Sequence, residues 1–509
     1  MRRILPSLIL FVCSCAFVGE KPEPATLTII HTNDLHSHLE PLCDPVCLGG
    51  MPRALGFINP RTAKDKDALL LDAGDRFTGT LNYAFFKGRD MALLMNLADY
   101  TAMVLGNHEF DDGMDALENF VSMSSAPIIA SNIVFERESR LSEIVFSSLV
   151  VERKGKRIGI IGLTTPETKI LAARTDYARF LPVLPVVQAK LAEFKKAGAD
   201  IVIVVSHIGF EADKELARTV PGINVIVGGH SHTVLPTYPA VEADPEGNPV
   251  FIVTAGQAGQ YVGVLDIVVG ADNKITSFEG TLTPMDDSVP ENKEARAMVD
   301  SFFSEIKETS EEKIVFSENP LSFGNNKRCR DNCLLGEVFT DIWRESFPET
   351  QIFLINSGAF RRPLGKGYIT FGQLLEAFPF DNKAVDLSLT GREITDMIQN
   401  AYDRQAILQP SGLKYEIRNG QAAEVKVLDN GTYAAIDPNK MYRVTVNDFM
   451  AKGGDGIMTL DRPYVLGKSL RNTLIDGLKS REKIAPVLEG RVQLDQLEAG
   501  HKRQAEPAP

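Results

Sequence analysis

Between residue 26 and about residue 270, short apolar runs alternate with stretches of helical period. The runs 27–31, 68–71, 102–105, 127–130, 158–161, 201–205, 225–227 and 251–253 predict strands, and 91–97 and 187–194 carry the 3.6-residue spacing of helices. This alternation predicts an α/β layered sheet, parallel in part, with the later strands in a second sheet. Near Pro284 the pattern breaks at Met285-Asp286-Asp287-Ser288-Val289-Pro290, a polar hinge candidate. A charged helical stretch, 292–308, follows with a narrow stripe of Ala295, Met298, Phe302 and Ile306 that could pack on either neighbour. Beyond it come a helix around 334–347, a strand at 352–355, helices after the N-cap candidates Thr370 and Thr390, and a strand at 442–446.

The resulting division is 1–25 as signal and tether, 26–285 as a first domain, 286–312 as a linker with a helix, 313–494 as a second domain, and 495–509 as a polar, disordered tail. The chain's 509 residues are long for one core, which agrees with two domains. A formal net charge of −13 argues against a nucleic-acid binder, which needs a basic face to displace counterions. It leaves room for a small phosphate ester, because bound metal ions and a few arginines reverse the field locally.

Arg2-Arg3, a short apolar run at 4–12 and Cys13-Ser14-Cys15 read as an export signal, too short to span a bilayer. Val12-Cys13-Ser14-Cys15 also resembles a bacterial lipoprotein cleavage box with Cys15 as the lipid-carrying residue, so periplasmic, surface-exposed and lipid-anchored forms all follow from export. Of six cysteines, two fall in the signal and four form equally spaced pairs, Cys43 with Cys47 and Cys329 with Cys333. Two local disulfides are the favoured reading for an exported chain, each contributing about 2 kcal/mol in the chain-entropy model. A four-cysteine zinc site competes and requires the pairs to meet in space.

Chemistry-bearing residues gather at strand ends. The first strand runs into Asn33-Asp34-Leu35-His36, where Asp34 and His36 share a side in extended backbone. The second ends in Asp72-Ala73-Gly74-Asp75, the third in Gly106-Asn107-His108-Glu109-Phe110-Asp111-Asp112, and later strands in Ser206-His207 and Gly228-Gly229-His230-Ser231-His232. Each alone has an ordinary structural explanation as a cap, turn or surface histidine. Together they carry five of the eight histidines to strand ends, the edge where α/β sheets bind ligands. Mixed carboxylate, amide and imidazole donors suit two divalent borderline ions sharing a bridging carboxylate.

The motifs DLH, GDRFTGT, GNHEFDDG, SHIG and GGHSH, in this order, resemble the calcineurin-like dinuclear metallophosphatases, and TNDLHSHLEP with GNHEFDDG resembles their exported 5'-nucleotidase and UDP-sugar hydrolase branch. The resemblance implies a layered β-sandwich domain flanked by helices, followed by a mixed α/β substrate-binding domain, α+β overall. It implies two divalent ions (Zn, Mn or similar), one held by Asp34, His36, Asp75 and His232, the other by Asp75, Asn107, His207 and His230. His232 departs from the amide usual in the nucleotidase branch but is a competent ligand. His108 would stabilise the transition state or protonate the leaving oxygen, oriented by Asp111, with Asp112 as the alternative partner. His31 and His38 read as structural residues.

In the second half, Asn356-Ser357-Gly358-Ala359-Phe360-Arg361, Phe378-Pro379-Phe380-Asp381-Asn382 and the segment from Asn447 to Gly456 match the family's nucleotide-binding domain. By that match Phe380 and Phe449 sandwich the base and Asp455 accepts from the ribose. Asn107, Asn356, Gly358 and Arg361 border the substrate, and Arg330 faces its anionic end. The expected activity is release of phosphate from nucleoside monophosphates, extending to UDP-sugars and other nucleotides. A 2',3'-cyclic nucleotide phosphodiesterase, a sulfur-oxidation thiohydrolase and a non-catalytic nucleotide-binding surface protein are the alternatives. A small nucleotide is the expected partner, with no nucleic acid and no protein partner inferred. Members of the family rotate the second domain on the first, and a hinge within 286–310 would permit it.

Overall fold

The computed structural model describes residues 24–495, apart from 44, 137–138, 173, 325, 327, 332, 459 and 461–462. The segment expected to be a signal, with Cys15, and the expected tail from 496 lie outside the described residues. Among the described residues no helix is long and apolar enough to cross a membrane.

Two six-stranded sheets build the first half. One has the order Ile275–Pro284, Tyr261–Val269, Ala25–Thr32, Leu69–Asp72, Ala102–Val104, Ile128–Ile129. The other has the order Ala240–Ala243, Pro249–Val253, Val225–Gly228, Ile201–His207, Lys156–Thr164, Leu149–Arg153. The last four strands of the first sheet are mutually parallel, as are the four that carry Pro249–Val253 to Lys156–Thr164 in the second. Strand alternation sorts the side chains. Leu27, Ile29, Leu69 and Val104 meet Ile158, Ile203, Val205 and Val227 between the sheets. Ile30, Leu70 and Met103 face outward onto one helical layer, and Val202, Val204 and Ile226 onto another. The parallel strands are therefore largely apolar on both faces, and apart from Thr28, which bonds Asp266, their polar residues lie toward the ends.

The expected linker is partly a packed element. Helix Lys293–Ser310 is capped by the Asn292 side chain, and it buries Ala295, Val299, Phe302 and Ile306 in the first half's core. Val299 takes the place expected of Met298, because the stripe follows a four-three-four spacing on the buried face.

The second half is organised on a sheet of order Leu408–Ser411, Ile352–Asn356, Met441–Asn447, Lys383–Thr390, Leu466–Ser469. Helices Leu334–Ser346 and Leu470–Lys479 cover one face around the fully buried Trp343, whose Nε1 donates to the Leu470 carbonyl at 2.8 Å. Helix Gly391–Asp403 covers the other. Thr370 and Thr390 each close a capping box. Ile352–Asn356 and Met441–Asn447 run parallel, which brings Asn356 and Asn447 to the same edge. Both cysteine pairs are disulfides, so the zinc alternative fails. The halves meet through an edge contact of Phe85 with Phe371 at 6.0 Å and an Arg174–Asp381 ion pair at 3.7 Å.

Behind the second sheet, helix Phe210–Thr219 buries Asp213, whose Oδ1 accepts from Ser206 Oγ at 2.6 Å. Burial lifts this carboxyl to about 8, against the Ser206 bond and the charge of His207. Its folded pKa exceeds the unfolded value near 3.8, so the folded chain holds the extra proton and stability falls as pH rises from about 4 through about 8. Asp213→Asn mimics the protonated acid and removes that slope. The variant should melt above the parent near pH 9 and together with it near pH 4; melting curves that stay parallel across this range would count against the assignment.

Candidate active site

The parallel strands of the two sheets end at one edge, and their terminal loops converge there. Three sets of donor atoms lie close enough to share an ion: Asp34, His36 and His232; His36, Asp75 and His108; and Asp75, His207 and His230. Asp75 belongs to two of them and stands between the outer groups. His207 Nε2 is 3.1 Å from Asp75 Oδ2, His232 Nε2 is 3.5 Å from Asp34 Oδ1, and the Nε2 atoms of His36 and His232 face each other at 3.0 Å.

Local bonding explains how the loops hold these positions. Asp34, His36, Asp75, His230 and His232 all sit at positive φ, between 46° and 75°. L-residues in this region cost roughly 1 to 3 kcal/mol each. Backbone bonds oppose the strain: Asp34 N donates to the Gly74 carbonyl at 2.8 Å and His36 N to that of Asp75 at 2.9 Å. Asn33 donates to Asp34 Oδ2 at 2.7 Å, and His230 N donates to the same oxygen at 3.0 Å. The fully buried Glu109 side chain accepts from the N–H groups of Asp75, Arg76, Phe77 and Gly106 at 2.6 to 3.2 Å.

The donor set fits divalent cations. The Ala73 carbonyl accepts from His207 Nδ1 at 2.6 Å, which turns the buried Nε2 toward Asp75 Oδ2, 3.1 Å away, as the atom free to ligate. Asn107 Oδ1 is buried and unpartnered. Burial lowers His36 to about 3 and His230 to about 4, so both are neutral, the form that ligates. Burial also lowers His207, but the charges of Asp75 and Asp34 outweigh it and lift the ring to about 10. A cation in place of that proton satisfies the same carboxylates.

Beside this cluster, His108 Nδ1 lies 2.7 Å from Asp111 Oδ2, which also accepts from Thr78 Oγ1 at 2.7 Å. Asp112 pairs instead with Lys87 at 2.9 Å, so Asp111 is the histidine's partner. Burial lowers His108, but Asp111 and Asp75 outweigh it and lift the ring to about 9.

A cavity of about 360 Å³ opens onto this pair and takes walls from both halves. The first contributes Thr78, Asn107, His108 and Asp111, and the second Asn356, Gly358, Arg361, Phe380, Phe449 and Asp455. Arg361 lies 5.0 Å from the Phe380 ring centroid. Arg330 does not line the cavity: its carbonyl is tied to Gln409 Nε2 at 2.6 Å, and Arg328, across the buried Cys329, lines it instead. Sequence reasoning also passed over Glu109, Thr78 and Asn447. Glu109 and Thr78 lie inside the quoted motifs, but their partners come from other loops. His31 bonds Tyr238 at 2.8 Å, away from the donor cluster.

Residues 27–234 match the calcineurin-like phosphoesterase family and residues 313–462 match the 5'-nucleotidase C-terminal domain. With the donor cluster, these matches define a metal-dependent phosphoesterase. A 5'-nucleotidase-related protein of Glossina morsitans morsitans and an apyrase of Tabanus yao are each 30% identical, over 92% of this chain and 94% of theirs. The 5'-nucleotidase precursor of Thermus thermophilus superposes with a TM-score of 0.79 at 33% identity, over 92% of this chain and 99% of its own. The chain belongs to the 5'-nucleotidase family. The sulfate thiohydrolase SoxB of Thermus shares the fold at a TM-score of 0.68 and 17% identity, over 95% of this chain and 98% of its own.

Glu109→Gln replaces one acceptor oxygen by a donor amide facing backbone N–H groups. Each buried group left unpaired costs about 1 to 3 kcal/mol. The variant should lose several degrees of melting temperature in chelator and require more manganese to recover the rest. An unchanged melt in chelator would show that Glu109 does not hold these loops.

Proposed function

We propose that the chain is an exported 5'-nucleotidase that hydrolyses nucleoside monophosphates to nucleoside and phosphate. The observation that carries this reading is one cavity lined by His108 and Asp111 on one side and by Phe380, Phe449 and Asp455 on the other. Phosphatase chemistry alone needs no aromatic pair, whereas a nucleobase does. That pair favours a nucleotide over the sulfur-ester alternative, and the complete set of candidate ligands favours an enzyme over a binding protein.

Two divalent ions would be held, one by Asp34, His36, Asp75 and His232, the other by Asp75, Asn107, His207 and His230. When bound they neutralise phosphoryl oxygens and make water nucleophilic at neutral pH. The side chains do the rest. Protonated His108 donates from Nε2 to the departing nucleoside oxygen, while Asp111, steadied by Thr78, holds Nδ1 and stabilises the charged ring. Arg361 and Arg328 bring positive charge to the phosphate end. Phe380 and Phe449 stack on the base, and Asp455 accepts from the ribose. Stacking tolerates different bases, so UDP-sugars and nucleoside di- and triphosphates belong in the same assay. The basic and apolar N-terminus and the two disulfides support export, and the mass of the secreted chain distinguishes a lipid on Cys15 from a free terminus.

The mature chain with manganese or zinc should release phosphate from AMP, and chelator should abolish the release. Phe449→Ala should raise KM roughly tenfold or more, the loss of one stacking contact. No release from AMP, UMP, UDP-glucose, ATP or a cyclic nucleotide, with two metals bound, would remove the nucleotidase reading.

His108→Ala should lower kcat by about 10² to 10⁴ while metal content measured by elemental analysis stays at the parent level. Parallel loss of metal and activity would make His108 a ligand instead.

A further inference from the structure

The nucleoside end of the cavity is built on a row of buried amides. Asn447 and Asn356 end neighbouring parallel strands and are 1% and 5% exposed. Asn447 Oδ1 accepts the Met450 N–H at 3.0 Å, capping helix Asp448–Ala451, which carries Phe449. Its Nδ2 donates to Asn356 Oδ1 at 3.0 Å, and Asn356 Nδ2 donates to Asp455 Oδ2 at 2.9 Å. Asp455 itself stands at φ +53°, a left-handed conformation that its side-chain bond helps to hold. At Gly358 a Cβ would lie 3.3 Å from Asn356 Nδ2, so glycine leaves this amide its room.

The direction of the row is set at both ends. A backbone N–H can only donate, and a carboxylate can only accept. Turning either amide over would set oxygen against oxygen or leave a buried donor unmade. One side chain therefore serves two recognition elements at once.

We infer that Asn447 is the positioning residue of the nucleoside site: it fixes the helix bearing Phe449 and, through Asn356, aims the Asp455 carboxylate at ribose hydroxyls. The inference rests on the nucleotide reading above and deepens it, since the ligand it specifies is a ribonucleoside. Asn447 lines the cavity, and its side-chain bonds go to Asn356 and Met450 rather than to the metal donors.

Reversal of the row tests it. Asn447→Asp keeps the volume and the helix cap, because aspartate is also a good N-cap, but it presents a second acceptor to Asn356. Asn356 then lies between two carboxylates and can serve one. The variant should melt lower than the parent, and its loss on AMP should fall on KM rather than kcat, roughly tenfold. Adding Asp455→Asn lets the row run backward: Asn356 donates toward position 447 and accepts from the new amide at 455, whose oxygen still faces the ribose. In that background Asn447→Asp should cost no melting temperature and less than about twofold in KM.

Equal melting losses in both backgrounds would overturn the relay. Melting losses that couple while KM losses simply add would overturn the link to ribose. If the parent turns over no nucleotide, the melting cycle still decides the relay, and the nucleotide reading falls separately.

Discussion

The carboxylate of Glu109 accepts from backbone N–H groups of Asp75, Arg76 and Phe77 on one loop and of Gly106 on another. These loops leave neighbouring parallel strands, where the ladder stops and N–H groups would otherwise be unpaired in a region that excludes water. Beneath them the buried Arg76 donates to Asp72 at 2.5 Å and to the Val104 carbonyl at 2.6 Å, and stands 3.5 Å from Glu109. A charge cluster this deep is tolerated only because almost every donor has an acceptor. Asp75 and Asn107 inherit their separation from it. Loosening Glu109 would free two strand ends at once and let the donor atoms of both drift.

The same edge stores backbone strain. Five of the candidate ligands take left-handed backbone, and the imidazoles of His36 and His232 are set nitrogen to nitrogen. Neither feature favours the chain by itself. Bonds such as those from Asp34 N to Gly74 and from His230 N to Asp34 hold the arrangement in advance. A cation entering this cluster meets lone pairs already converged, so little of its binding energy goes into ordering loops. Preorganisation also explains why these residues sit on strand ends of a packed sandwich rather than on long loops.

Much of this was legible in the chain. Parallel strands buried on both faces appear as largely apolar runs, so the short polar segment after each run marks the active edge, the segments that hold Asp34, Asp75, Asn107 and His207. The choice of Asp111 over Asp112 was not legible, because both follow the same turn and only Lys87, from a distant helix, claims one of them. Glu109 was hidden for a related reason: its partners are backbone groups, which leave no signature in residue type. Arg328 rather than Arg330 lines the cavity, beside a disulfide-closed loop where neither strand nor helix period predicts which side chain faces it. Val299 in place of Met298 is a smaller case, since a helix stripe permits either spacing and the neighbouring core decides.

The two halves divide the work, but the cavity does not keep them apart. Arg361 comes from the recognition half, packs over Phe380, and still interacts electrostatically with Asp111 and His108 of the chemical half. Its charge opposes protonation of His108 while Asp111 favours it, so the ring's proton affinity depends on how closely the halves approach. An anionic phosphate seated between Arg361 and His108 would offset that repulsion. A ligand in the cavity that contacts both halves would therefore also change the charge environment of His108. Binding energy from a remote part of the substrate can in this way act at the reacting centre, provided the contacts strengthen as the leaving oxygen gains charge.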